Sequence, residues 1–319
     1  MIVVENVSKY YGAHRAVSDL TFKIDQGECV GFLGLNGAGK STTLRLLSCL
    51  SLPTAGRISI QGLDVVSHPH EIRKLVGYLP DVPPLYDEMT VDEYLRFAGS
   101  MRGLSGADLT KRAGRAIETC DLGPVRQKPI TTLSHGYRQR VGIAQAIIHG
   151  PALLILDEPI QGLDPVQIVE MRNMIGELRG EHTILLSSHI LTEIEHTCDR
   201  ILMMHEGRIA ASGTEQELAH RMESAKRLRI TVRGEQAALD TLLEGLGEAS
   251  EVTTAPGEDG LCSATLAVGD ADREVISRAV IEAGMGLVDM QNVSTGLESV
   301  FLQLRADAES TQAAGPAAS

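Results

Sequence analysis

The sequence predicts an α/β protein, built on a parallel sheet with helices around it and followed by a smaller α+β domain. Three observations carry this reading. Short apolar runs without alternation, such as Cys29–Leu33 and Leu153–Leu156, read as buried strands, the pattern of a parallel sheet. Helical periodicity lies between them, most continuously from Thr90 to about Ala146. Near Glu223 the texture changes to short strands and two helices over about 80 residues, the size of a small separate domain.

Along the chain, Ile2–Val7 and Ala16–Ile24 read as strands, the second ending at the turn Asp25-Gln26-Gly27. Cys29–Leu33 is a buried strand, and Ser41–Leu50 a helix. Pro53–Gly56 is a turn, Arg57–Ile60 a short strand, and Val76–Leu79 a strand stopped by Pro80. His68-Pro69-His70 reads as a polar loop. Tyr94, Phe97, Ile117 and Leu122 mark the apolar faces of the helical stretch. Leu153–Leu156, Thr183–Ser187, Arg200–Met204 and Gly207–Gly213 complete the strands of the first unit, with a helix between the second and third of these. Beyond it, Arg229–Val232, Ala264–Val268 and Gly286–Val293 read as strands, and Gln236–Leu246, Arg273–Ala283 and Leu297–Leu304 as helices. The stretch 306–319 is rich in Ala, Ser and Gly and is expected to be disordered.

Composition narrows the function classes. Of 319 residues, 43% are hydrophobic but only 3% aromatic, with no Trp, so the core is aliphatic. No apolar run approaches the roughly 18 residues a membrane helix needs. The N-terminus shows no charged segment followed by an apolar one, as a secretory signal would. A cytoplasmic protein is expected, and a membrane role would need a separate partner. Five scattered cysteines without C-x-x-C spacing are expected to be reduced and mostly buried. The ten histidines form no ligand pattern. The net charge of −13 is uneven: residues 1–222 carry 22 basic and 26 acidic side chains, and 223–319 carry 7 and 16. So acidic a second half is a poor footprint for nucleic acid, which is not expected as a partner.

The stretch Gly34-Leu35-Asn36-Gly37-Ala38-Gly39-Lys40-Ser41-Thr42 fits G-x-x-x-x-G-K-[ST] in full, after a predicted strand and at the start of a predicted helix. Glycines let the backbone N–H groups turn inward as an anion nest at a helix N-terminus. Asn36, Gly37, Ala38, Gly39, Lys40, Ser41 and Thr42 are therefore candidate phosphate-binding residues, with Lys40 reaching the β- and γ-phosphates and Ser41 a Mg²⁺ ligand. A nucleoside triphosphate is the expected cofactor. Leu153–Leu156 is followed by Asp157-Glu158, two carboxylates at a strand end, where ligands sit in open α/β sheets. Asp157 is a candidate Mg²⁺ holder and Glu158 a candidate base for the attacking water. A helix start using acidic residues is the plainer alternative for this pair.

With these residues in hand, 1–222 resembles the ATP-binding subunit of an ABC transporter. Leu133-Ser134-His135-Gly136-Tyr137 is similar to the family's L-S-G-G-Q signature, Pro159-Ile160-Gln161-Gly162-Leu163-Asp164-Pro165 to its D-loop region, and His189 to its switch histidine. Tyr11 resembles the aromatic that stacks on adenine, with an ordinary packed tyrosine as the alternative. The resemblance implies a P-loop NTPase: a RecA-like parallel core with an antiparallel β subdomain and a helical subdomain at about 83–150. It implies an ATPase dimer in which Ser134 and Gly136 face the γ-phosphate held by the opposite subunit. His189 would then hold the attacking water with Glu158, and Asp164 would couple the two sites. The second subunit is another copy of this chain or a paralogous ATPase subunit.

The departures fall at three positions. Asp81 stands where the family's Q-loop glutamine is expected, and is carried over as a third Mg²⁺ contact; His135 and Tyr137 replace Gly and Gln in the signature. Leu297-Glu298-Ser299-Val300-Phe301-Leu302 resembles the end of the C-terminal domain, here 223–305, in ATPases of the ABC-2 type export branch. That branch implies a separately encoded integral membrane permease docked near Asp81 and 83–150, which would hold the chain on the inner face of the cell membrane. The rival expectation is a soluble ABC ATPase acting on ribosomes or DNA. A third is a C-terminal domain that tunes the ATPase by binding a ligand.

Overall fold

The computed structural model describes residues 1–218, 227–245, 250–256, 261–267 and 272–293. The chain divides into two compact units, Met1–Glu215 and Gln216–Ser319.

The first unit holds two sheets. Strands β1 (Ile2–Tyr11), β2 (His14–Ile24), β4 (Ala55–Ile60) and β5 (Leu63–Asp64) form an antiparallel sheet in the order β2-β1-β4-β5. Strands β3 (Cys29–Leu33), β6 (Val76–Leu79), β7 (Leu153–Asp157), β8 (Thr183–Ser188), β9 (Arg200–His205) and β10 (Arg208–Gly213) form the second, in the order β10-β9-β3-β8-β7-β6. All its pairings are parallel except β9 with β10. β3, β7 and β8 are buried at every residue, the polar Asp157 of β7 and Thr183, Ser187 and Ser188 of β8 included.

One aliphatic core joins the two sheets through helix α1 (Lys40–Leu47): Ile2, Leu20 and Ile24 pack with Leu44, Leu47, Val30 and Leu185. Phe22 and Phe32 meet there edge to face, with centroids 5.4 Å apart. The unit also holds helices α2 (Pro69–Leu75), α3 (Val91–Met101), α4 (Gly106–Thr119), α5 (His135–Ile147), α6 (Pro165–Leu178) and α7 (Leu191–Glu195), with short 3-10 turns at Gly123–Val125 and Ile130–Thr132. A capping box starts α3: the Glu93 N–H donates to Thr90 Oγ1 at 3.3 Å and the Thr90 N–H to Glu93 Oε2 at 2.8 Å. Asp92 pins that helix to the segment before α5, lying 2.7 Å from Arg96 and 2.6 Å from Arg126.

The second unit runs β11 (Arg227–Arg233), α8 (Gln236–Gly245), β12 (Ser250–Pro256), β13 (Leu261–Ala267), α9 (Asp272–Glu282), β14 (Gly286–Val293). This βαββαβ order, with an antiparallel sheet ordered β12-β13-β11-β14, is the ferredoxin-like arrangement. Leu228, Ile230 and Val232 on β11 and Cys262, Ala264 and Leu266 on β13 alternate toward a core shared with Leu239, Leu243, Ile276 and Val280 of the helices.

Several elements differ from expectation. His68-Pro69-His70 is a helix start, not a loop: Pro69 sits at the first position, Glu71 in the first turn, and Arg73 and Lys74 in the last, each where helix geometry and dipole favour it. β1 continues past Val7 to Tyr11. Register shifts along it, with Asn6 at φ 48°, blur the alternation that would have shown its length. α1 ends at Leu47 rather than Leu50, because Cys49 adopts φ 57° and the N–H groups of Leu50 and Ser51 both fold back onto the Arg45 carbonyl. β12 was not expected at all. The helix expected at Leu297–Leu304 and the tail 306–319 lie outside the described residues.

Candidate nucleotide-binding site

The loop between β3 and α1 is held from behind and open in front. A Cβ at Gly34 would stand 2.6 Å from the Met204 carbonyl oxygen, so only glycine fits against β9 there. Gly39, at φ 102°, presses on β2, where a Cβ would be 2.7 Å from the Ala16 carbonyl oxygen. The Gly207 N–H donates to the Ala38 carbonyl at 3.0 Å, tying the loop to the β9–β10 turn. On the other side Asn36 and Gly37 are exposed, and nothing lies within 4 Å of a Cβ built at Gly37. α1 has no side-chain N-cap, which leaves its first N–H groups for an anion. Thr42, in its first turn, is half-buried.

Lys40 lies buried inside this loop. Its Nζ donates to the Gly34 carbonyl at 2.6 Å and stands 3.2 Å from Glu158 Oε1. The other carboxylate oxygen, Oε2, is 2.9 Å from His189 Nδ1, so Glu158 bridges Lys40 and His189. Glu158 itself has φ 50°, a left-handed conformation that costs a non-glycine residue about 1 kcal/mol. Just before it, Asp157 Oδ1 accepts hydrogen bonds from Ser41 Oγ at 3.2 Å and Ser187 Oγ at 2.6 Å. Burial pushes the Asp157 carboxyl above its ordinary range, while both hydroxyls pull it back. Lys40, Ser41, Asp157, Glu158 and His189, far apart in sequence, thus form one connected cluster at the ends of β3, β7 and β8.

Asp81 follows β6 and its side chain is exposed. Its carbonyl accepts from Gln139 Nε2 at 3.4 Å. It lines a cavity of 800 Å³ together with Ser41, Asp157, Tyr78 and Gln145. Burial, with the Asp157 charge second, pushes the Tyr78 phenol up to about 12. Tyr11 ends β1 at the hairpin tip and is 46% exposed, outside the core. Lys9 Nζ sits 5.0 Å from the centroid of its ring. From that hairpin β2 runs back to Ala16 against the phosphate loop.

Ser134 and Gly136 make their contacts elsewhere. Ser134 caps α5, accepting the Tyr137 N–H at 3.4 Å. A Cβ at Gly136 would meet Gln167 Oε1 of α6 at 2.9 Å. His135 Nε2 lies 3.0 Å from the Gln161 carbonyl oxygen, which joins the start of α5 to the segment before α6. Asp164 caps α6, accepting the N–H groups of Val166 and Gln167 at 3.0 and 2.9 Å.

Sequence reasoning missed Ser187 and Gln145 as parts of the site, and Glu193 behind it. Ser188 Oγ donates to the buried Glu193 carboxylate and accepts the Ile190 N–H at 3.0 Å, bracing the backbone on both sides of His189. The available signal was a serine pair closing a buried strand. Among the described residues no group of three or more His, Cys, Asp or Glu side chains could hold a metal, and no helix is long and apolar enough to cross a membrane.

Residues 17–161 match the ABC transporter family. The chain is 31% identical to the linearmycin resistance ATP-binding protein LnrL of Bacillus subtilis, over 95% of this chain and 98% of that one. It is 33% identical to the bacitracin transport ATP-binding protein BcrA of Enterococcus faecalis, over 95% and 96%. Among solved structures, an ATP-binding subunit of an ABC transporter superposes with a TM-score of 0.63 at 36% identity, covering 69% of this chain and 92% of that one. A dimeric bacterial ABC transporter cassette gives 0.62 at 25%, covering 67% and 98%. The ordered motifs, the parallel-sheet fold and similarity along nearly the whole length of curated relatives lead to one conclusion: the chain belongs to the ABC transporter ATP-binding proteins, the ATP-hydrolysing subunits of these transporters.

Proposed function

We propose that this chain powers an ABC-2 type exporter. Two ATPase subunits close around two ATP molecules at the inner face of the cell membrane and drive a separately encoded permease. The observation that carries the reading is the bridge made by Glu158, one oxygen toward Lys40 and the other toward His189. Glu158 takes the proton of the attacking water, and His189 orients that water at the γ-phosphate. Lys40 and the N–H groups from Asn36 to Thr42 receive the β- and γ-phosphates. Tyr11 offers the adenine an exposed ring. Ser134 and Gly136, engaged with Tyr137 and Gln167 rather than with the phosphate loop, serve the γ-phosphate of the other subunit.

Mg²⁺ fits the residues present. Ser41 Oγ and Asp157 Oδ1 are hard oxygen donors 3.2 Å apart at the mouth of the phosphate loop, and Asp81 adds a carboxylate on the same cavity. When bound, the ion would neutralise charge on the β- and γ-phosphate oxygens.

The export reading draws on the full-length relatives named for linearmycin resistance and bacitracin transport. A permease contact beside Asp81 is supported by exposed Leu50, Val82, Tyr86 and Met101, an apolar surface of the kind that marks a partner site. The test is a pull-down of tagged Glu158→Gln chain with ATP from detergent-solubilised membranes. Recovery of a polytopic membrane protein supports the reading; recovery of ribosomal or DNA-bound material overturns it.

A further inference from the structure

Ser187, the penultimate residue of β8, is fully buried and is the direct register partner of Asp157 on β7. Its hydroxyl does two things at once. It donates its one proton to Asp157 Oδ1 at 2.6 Å and accepts the Glu158 N–H at 2.9 Å. Those two residues stand at the point where β7 ends and the backbone turns into the left-handed region at Glu158. A turn of that kind persists only where neighbours fix it, and the bond from the Glu158 N–H is such a fixture. The same oxygen of Asp157 also accepts Ser41 Oγ at the longer distance of 3.2 Å.

We infer that Ser187 is a positioning residue for hydrolysis, setting Asp157 toward the metal and Glu158 toward the attacking water through one shared hydroxyl. The inference rests on the roles proposed above for those two carboxylates. Ser187 contacts Asp157 and Glu158 and acts through that pair. Without the hydroxyl, the Glu158 N–H loses its partner in the interior, and Asp157 keeps only Ser41, the group with which it would share Mg²⁺. Both carboxylates then lose alignment together, and misplacement by about 1 Å is enough to cost roughly a hundredfold in rate.

The test uses the full chain with Ser187→Ala and the near-isosteric Ser187→Cys, a much weaker hydrogen-bonding group. Steady-state hydrolysis is measured against ATP, and affinity for a fluorescent ATP analogue is measured with and without Mg²⁺ in a Glu158→Gln background. Both Ser187 variants are expected to lose about 10- to 100-fold in kcat with KM for ATP within about twofold. Their affinity without Mg²⁺ should stay within about twofold, while the gain on adding Mg²⁺ shrinks at least about fivefold. Either variant hydrolysing within twofold of the unmodified chain overturns the inference. So does an affinity loss of equal size with and without Mg²⁺, which would mark a packing defect. Glu158→Gln alone serves as the separate control: if it turns over like the unmodified chain, the proposed base is wrong, and the Mg²⁺-dependent binding still judges Ser187 through Asp157.

Discussion

Lys40 and Glu158 form an ion pair of 3.2 Å in which only 5% and 10% of the respective side chains remain exposed. The pair neutralises a buried ammonium and a buried carboxylate in the chain without nucleotide. A γ-phosphate entering the loop competes with Glu158 for Lys40 and brings its own negative charge beside the carboxylate. Glu158→Gln keeps the side-chain shape and removes the charge. Turnover is expected to fall at least about a hundredfold, as for loss of a general base. ATP affinity should rise by a few-fold, because a like charge has been removed. Steady-state hydrolysis and equilibrium ATP binding check both halves; unchanged turnover would refute the role of Glu158.

The same pair predicts a stability effect. Lys40→Met leaves the Glu158 carboxylate buried with His189 as its remaining ion-pair partner among the described residues, and breaking a buried pair costs about 3–5 kcal/mol. Removing both charges, as in Lys40→Met with Glu158→Gln, should recover most of that loss. Unfolding in denaturant of the four proteins, without nucleotide, completes a double-mutant cycle. Additive effects within about 0.5 kcal/mol would mean that the two charges do not interact.

His149 follows α5, and its Nε2 lies 3.2 Å from the Val76 carbonyl oxygen. Burial, with the nearby Arg102 charge second, pushes it down to about 4 from an ordinary 6.5. The folded chain therefore holds His149 neutral where the unfolded chain binds a proton. Its contribution is intact above pH 6.5 and is lost as pH falls toward 4, so stability rises with pH across that window. Allowing for partial exposure, the effect is on the order of 2 kcal/mol. His149→Gln should flatten the dependence of the unfolding midpoint between pH 6.5 and 4, and an unchanged slope would assign the acid sensitivity to other groups.

These residues also mark where the sequence could and could not be read. The phosphate loop was legible because its requirements are local: glycines, a lysine and a serine at fixed spacing between a strand and a helix. Asp157 and Glu158 were legible because carboxylates at the end of an apolar run need a reason. Ser187 was not, since its partnership with Asp157 is a matter of register between β7 and β8, and no local pattern encodes which residues of two parallel strands face each other. β12 escaped because it is an edge strand, Ser250-Glu251-Val252-Thr253-Thr254-Ala255-Pro256, whose polar sequence lacks the apolar run of a central one. α2 escaped because seven residues with a proline among them resemble a turn until the proline is placed at the first helical position.

Met101 ends α3 with 74% of its surface exposed, on the cavity that Leu50 and Val82 also line. A flexible, polarizable side chain such as that of Met101 suits a surface that must fit a partner. In the proposed transporter this patch meets the permease. Met101→Glu places a charge in that contact, and desolvating it should reduce recovery of the permease with the Glu158→Gln chain at least about tenfold, which corresponds to about 1.4 kcal/mol. Met101→Leu, apolar and similar in size, should restore it. The comparison is made by quantifying the co-purified membrane protein in detergent, with melting temperatures of the two variants as the control for folding. Equal recovery by the Glu and Leu variants would move the permease contact away from this face.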